Sequence, residues 1–472
     1  MIHDTLKEKC AVAGVWNKDN DVARTTYFAL FAQQHRGQEH SGIASYDAGT
    51  IHLHKAAGLV SQVYTEEIIE NLTGTVAIGH NRYSTSKGIG VEHAQPVMFS
   101  PGFALAHNGN LPSVKNLEDF VTENGLDASD HSDSELMALT VEVFRKQGLS
   151  VRDALVKAIP MFVGAFSAVA MGDGELFAFR DEFGIRPLSI GKQSTGGYVV
   201  ASETCALDTV GADFVRDVMP GEIVVINDKG IESIIFATAK PMIDMFEYVY
   251  FARHDSTING RLVYEARRDA GRELGREYTV PIDVVVPVPE TSIPAAIGYA
   301  QERGIPFELA LHKNRYIHRT FILPKQEDRE KAVRMKLTVL RPLVEGKRVA
   351  LIDDSVVRGT TSRQIAQMMF QAGAAEVHYV VASPPVRFPD FYGIDTPDQD
   401  HLIAAQKTIE ETREYIGVTG LHYLSLDGLV RAIGLPKENL CSACFTGEYP
   451  IDLGENREHI RYDLPEFIKN TP

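Results

Sequence analysis

Residues 349–362 read VALIDDSVVRGTTS, a run whose side chains could hold a phosphorylated ribose. Residues 347–352 are an apolar stretch that predicts a buried strand, with Asp353 and Asp354 at its carboxyl end. Paired carboxylates there can accept hydrogen bonds from two vicinal ribose hydroxyls. Ser355, Val356, Val357, Arg358, Gly359, Thr360, Thr361 and Ser362 follow. Ile365, Met368 and Met369 then recur at helical spacing, and Gly373 closes the helix. The helix start offers free N–H groups and a positive dipole to a phosphate. Gly359 lets the backbone approach the ligand, and three hydroxyls add donors. A charged strand end before an ordinary capped helix is the competing reading. The whole strand–loop–helix run is more specific than that.

Two textures supply the elements that must position such residues. From Cys10 to about Ile235, short alternating or β-branched runs are split by Gly, Asn and Asp. Helical spacing appears at 25–36 and at 134–148, the latter opened by Asp133-Ser134 as a cap and closed at Gly148. Many strands with few helices predict layered sheets covered by helices. From about Glu247 to Leu440, continuous apolar strands (282–289, 307–311, 347–354, 376–385) alternate with helices. Strands buried on both faces predict a parallel sheet with crossover helices. The expected units are 1–9, 10–238, 239–444 and a polar surface tail at 445–472, with the main boundary near 238–244.

Bulk properties narrow the class. A chain of 472 residues is too long for one ordinary core. Its formal net charge of -16 disfavours nucleic acid and anionic membranes as partners. Four cysteines, Cys10, Cys205, Cys441 and Cys444, are too few for a disulfide scaffold and fit a reducing compartment. No apolar run approaches the roughly 20 residues of a membrane span, and residues 1–9 lack an apolar signal core, so a cytoplasmic location is expected.

The 349–362 segment resembles the 5-phosphoribosyl-1-pyrophosphate (PRPP) signature of type I phosphoribosyltransferases. That resemblance makes Pro289-Glu290-Thr291-Ser292 the pyrophosphate loop, with Ser292 helping Asp353 and Asp354 to hold one Mg²⁺. The basic stretch 313–336, interrupted by Pro324, becomes a flap over pyrophosphate, with Lys313 and Arg319 among its contacts.

Cys10 precedes the apolar run 11–16, where a cysteine is most often a small buried hydrophobe. Its company argues otherwise. QHRGQEHSG (34–42), GHNRYST (79–85), AQPV (94–97), AHNGNL (106–111) and HSDSE (131–135) resemble, in order, the segments of class II glutamine amidotransferases. The resemblance implies an N-terminal-nucleophile sandwich of antiparallel sheets and helices. It implies removal of Met1 to Lys9, so that the freed α-amine of Cys10 serves as base for its own thiol. Arg82 would bind the glutamine α-carboxylate and Asp133 its α-ammonium. Asn108 and Gly109 would form the oxyanion hole.

The pairing of these halves, with segments 251–267, 313–321 and 441–450, is similar to the amidophosphoribosyltransferases over almost the whole chain. That family makes 5-phosphoribosylamine from PRPP, glutamine and water at the committing step of purine biosynthesis. The resemblance implies an enzyme, an apolar ammonia channel, a homotetramer and feedback by purine nucleotides. Some relatives carry a four-iron, four-sulfur cluster on four cysteines. Here Asp244 and Asp390 stand at two of those positions, and only Cys441 and Cys444 remain, so no cluster is expected. Ala11, Lys9 and His254 also depart from the family pattern, and none removes a catalytic group. Other readings are a PRPP-sensing regulator, another glutamine-dependent synthase, or an enzyme that runs only on free ammonia. The first needs a basic DNA-binding module, which the sequence lacks. The PRPP loop argues against the second.

Overall fold

The computed structural model describes residues 10–18, 21–82, 90–314, 336–394, 396 and 398–462. The first half is a four-layer sandwich. Its seven-stranded antiparallel sheet runs in the order Ala212–Asp217, Ser189–Gln193, Tyr198–Ala201, Ala11–Trp16, Val76–Arg82, His40–Asp47, Thr50–Ala57. A five-stranded antiparallel sheet runs Gly230–Ile235, Glu222–Asn227, Glu175–Arg180, Ala165–Gly172, Phe103–Asn110. Side-chain alternation builds the layers. Val12 and Trp16 point into the core between the sheets, whereas Ala13 and Val15 meet the helix Val22–Ala32. Ala104 and Ala106 share that inter-sheet core, while Phe103 and Leu105 meet the helices Asp133–Lys146 and Val151–Ala158. The strand beginning at Ala11 is thus buried on both faces, and Cys10 stands at its entrance with φ +54°.

The second half is a parallel sheet ordered Val284–Pro287, Arg348–Asp353, Glu376–Val381, Gly420–Tyr423. The helices Val263–Glu277, Ile293–Arg303 and Leu426–Ile433 cover one face, and Thr360–Gln371 with Ile409–Ile416 the other. Both expected architectures are present: an antiparallel αββα sandwich followed by a parallel α/β sheet.

Three local expectations need correction. Residues 307–311 do not form a full strand: Phe307 makes one parallel bridge to Val285, and Leu309 is exposed. Instead Leu311–Lys313 pairs with Leu337–Val339 as a hairpin base. The helix cap is Ser132, not Asp133-Ser134, because the Ser132 hydroxyl accepts from the Glu135 amide and Glu135 caps in return. The tail is not a polar surface wrap over its described length. Phe445, Ile451, Leu453 and Ile460 are buried in the core of the second half, and Asn456 Nδ2 donates to the Pro112 carbonyl at 2.6 Å.

The halves meet through buried charge. Arg36 donates to Glu203 and to Glu247, and Arg186 lies 3.2 Å from Glu247 and 3.3 Å from Asp244. Glu203 also receives the Arg253 amide at 2.9 Å. Burial penalises every one of these charges, so each requires its partner.

Candidate active sites

A cavity of about 660 Å³ collects Cys10, Arg82, Gly109 and Asp133 from four separate segments. Register explains the first pair. Ala11 faces Asn81 across neighbouring antiparallel strands, so continuing that register sets Cys10 opposite Arg82. Arg82 Nη1 has no hydrogen-bond partner among the described residues although it is buried. The Asn108 side chain is fully buried, and both its Oδ1 and Nδ2 lack partners there. A buried amide left doubly unsatisfied is costly unless a ligand completes it. Gly109 has φ +148°, and a Cβ on it would stand 1.9 Å from the Ala165 carbonyl oxygen, so no other residue fits.

Asp133 begins the helix Asp133–Lys146, whose N-terminus favours its negative charge. Its carboxylate accepts from the Leu111 amide at 3.2 Å and the Ser134 amide at 2.7 Å, which fixes it beside Gly109. Behind these groups lies a network absent from the sequence reading. Gln95 donates to Ser134 Oγ at 3.0 Å and accepts from the His107 amide at 2.7 Å. His107 Nδ1 is 3.0 Å from the same hydroxyl. Gln95 and His107 lay inside recognisable motifs, but only the tertiary contact gives them work. The His80 imidazole, pushed down to about 3 by burial and the Arg82 charge, stays neutral beside the His107 carbonyl.

At the sheet of the second half, the strand Arg348–Asp353 delivers Asp353 and Asp354 to its carboxyl end. Tyr379 donates to Asp353, and Thr291 donates to Asp354, tying the 289–292 loop to the aspartates. Ser355 Oγ adds a bond to Asp354 at 2.8 Å. Burial pushes both carboxyls above the ordinary carboxylate range, and the neighbouring Asp354 charge adds to this at Asp353. Gly359, with φ +78°, caps the helix Thr360–Gln371. The turn demands glycine, and a Cβ there would also press on Ile403 Cδ1 at 2.8 Å, the movable end of a side chain. Arg358 is half-buried, Thr360 exposed and Thr361 half-buried at the helix start. Ser362 is buried, and its side chain hydrogen-bonds Tyr379.

Ser292 is buried and donates to the Val288 carbonyl, and it lines the same small cavity as Asp354 and Thr291. The loop hydroxyl that touches an aspartate is therefore Thr291, to which the sequence alone assigns no role. Tyr379 was missed too; its signal was strand alternation from Val377 and Val381. Lys313 is exposed at the hairpin base, while Arg319 lies outside the described residues, as does the expected removal of Met1 to Lys9. Cys441 and Cys444 are buried, and burial with the nearby Asp244 charge pushes both thiols well up. Among the described residues no group of three or more His, Cys, Asp and Glu could hold a metal ion, and no helix is long and apolar enough to cross a membrane.

A family profile described as a glutamine amidotransferase domain matches residues 80–209. An amidophosphoribosyltransferase of Synechococcus elongatus is 45% identical over 459 residues, covering 96% of this chain and 93% of its own. One from Bacillus subtilis is 44% identical, covering 95% of each chain. The solved structure of the B. subtilis glutamine PRPP amidotransferase, complexed with ADP and GMP, superposes with a TM-score of 0.88 at 43% identity, covering 95% of this chain and 98% of that one. A second solved structure, described as the allosteric regulatory enzyme of purine biosynthesis, gives 0.89 at 43% identity, covering 98% of this chain and 99% of that one. The chain belongs to the amidophosphoribosyltransferase family, enzymes that join a glutamine amidotransferase to a pentosyltransferase.

Proposed function

We propose that the chain converts PRPP, glutamine and water to 5-phosphoribosylamine, glutamate and pyrophosphate, with residues 10–238 as glutaminase and 239–444 as phosphoribosyltransferase. The observation that carries a joined reaction is that Asp390, Phe391 and Ile394 of the second half wall the cavity of Cys10. Ammonia released there starts inside the protein rather than in solvent.

In this reading the Cys10 α-amine takes the thiol proton and the sulfur attacks the glutamine amide. Arg82 holds the substrate carboxylate and Asp133 its ammonium. The unsatisfied Asn108 amide and the Gly109 N–H receive the oxyanion. The tetrahedral intermediate collapses to a Cys10 thioester as the Cys10 α-ammonium returns its proton to the leaving nitrogen, which departs as ammonia, and water then hydrolyses the thioester to free glutamate. In the second site Asp353 and Asp354 hold the ribose hydroxyls. Ser355, Arg358, Gly359, Thr360, Thr361 and Ser362 surround the 5-phosphate, with Ser362 acting through Tyr379. Lys313 and Arg319 are the cations assigned to the leaving pyrophosphate. Ammonia displaces pyrophosphate at the sugar's anomeric carbon.

Mg²⁺ fits the donor set, since it prefers one or two carboxylates plus substrate oxygens and water. Asp353 and Asp354, with Ser292 nearby, would hold it. When bound it neutralises the pyrophosphate leaving group. The same reading extends to a cytoplasmic homotetramer restrained by purine nucleotides. Pyrophosphate release from PRPP, compared with glutamine and with ammonia as donor, tests the function; no release with either would refute it.

A further inference from the structure

Loop residues 390–394 belong to the second half, yet they are built against the tip of the strand that carries Asn108 and Gly109. Asn110 Nδ2 donates to the Phe391 carbonyl at 2.8 Å. The buried Arg186 donates from Nε to the Tyr392 carbonyl at 3.0 Å. Asp390 Oδ1 accepts the amides of Tyr392 at 2.8 Å and Ile394 at 2.9 Å, which sets the curl of the loop.

At the apex, Gly393 has φ +118°, and a Cβ on it would lie 2.9 Å from Gly109 Cα and 3.2 Å from Arg186 Nε. On the other side a Cβ on Gly109 would collide with Ala165 at 1.9 Å. The Gly109 backbone is therefore clamped between one strand of its own sheet and one loop of the other half. Arg186 holds the loop from the first half, flanked by Asp244 at 3.3 Å, Glu247 at 3.2 Å and Asp390 at 3.6 Å.

We propose that Gly393 and Arg186 are positioning residues for glutamine hydrolysis, acting through Gly109. The second half thus supplies the rear wall of the oxyanion hole. This rests on the reading of Asn108 and Gly109 as that hole. A misplacement near 1 Å can cost about 10²-fold in rate. Arg82 and Asp133, which grip the far end of the substrate, are untouched, so the loss falls on kcat and not on KM.

The test uses the full-length enzyme. Glutamate formation in the presence of PRPP is measured beside pyrophosphate release driven by ammonium chloride. Gly393→Ala is expected to lower the glutamine kcat by about 10²-fold while KM for glutamine and the ammonia-driven rate stay within about twofold. Arg186→Lys keeps the charge but loses the Nε–H donated to the Tyr392 carbonyl, and is expected to lower the same kcat by about tenfold. Equal loss of both routes in both variants would mark a merely structural role and overturn the proposal. Asn108→Ala separates the two readings. If it retains glutamine hydrolysis, the oxyanion reading itself fails. If it is inactive while Gly393→Ala and Arg186→Lys are not, the hole stands and the positioning proposal falls.

Discussion

Cys10 and the Asp353–Asp354 pair make opposite demands on their surroundings. The cysteine needs donors waiting for a charge that develops only during reaction. In the proposed mechanism Asn108 meets that demand, since both ends of its buried amide lack partners among the described residues. Cys10→Ser should cut glutamine-dependent synthesis by about 10³-fold or more while ammonia-dependent synthesis persists; steady-state rates with each donor check this. The aspartates are already buried before any substrate arrives. Their folded-state pKa values lie above the unfolded ones, chiefly through burial. Their stabilising contribution is full below the ordinary carboxylate range and is lost as pH rises through the folded values. A divalent cation offsets that loss. Mg²⁺ should therefore raise Tm more at about pH 8 than at about pH 5, and Asp353→Asn with Asp354→Asn should remove the difference. Calorimetry at the two pH values tests both.

Elements decide how well such residues are held. Arg36 on one half neutralises Glu203 and Glu247, all three buried. Arg36→Leu leaves two carboxylates short of a counter-ion and should destabilise the protein by about 3–5 kcal/mol, read as a fall in denaturation midpoint. Gly359→Ala meets both a positive φ and Ile403, and should cost about 1–3 kcal/mol with a raised KM for PRPP. The strand–loop–helix run was legible because its pattern is local: strand, two acids, glycine and helix lie within one short run. The Gln95–Ser134–His107 network and Tyr379 were not, because they act across segments that no periodicity links. The tail was misjudged for a related reason. Its buried anchors, Phe445, Ile451, Leu453 and Ile460, are spaced without helical or strand period, so their docking is a tertiary fact.

At the scale of the whole molecule, the two halves could each be read from the sequence, but their joint could not. Arg186, Asp244, Asp390 and Glu247 meet from distant positions, and Asp244 is pushed up to about 7 by burial, against the pull of Arg186. The consequence is that the cavity at Cys10 has a wall that includes residues of the second half. Ammonia made there should reach PRPP before it reaches solvent. The most direct test is stoichiometry: glutamate and pyrophosphate measured together, at a pH where free ammonia is scarce. The two products should form one for one, and Cys10→Ser should restore pyrophosphate release only when ammonium is added. Glutamate forming without matching pyrophosphate, or Cys10→Ser retaining glutamine-driven pyrophosphate release, would contradict the account.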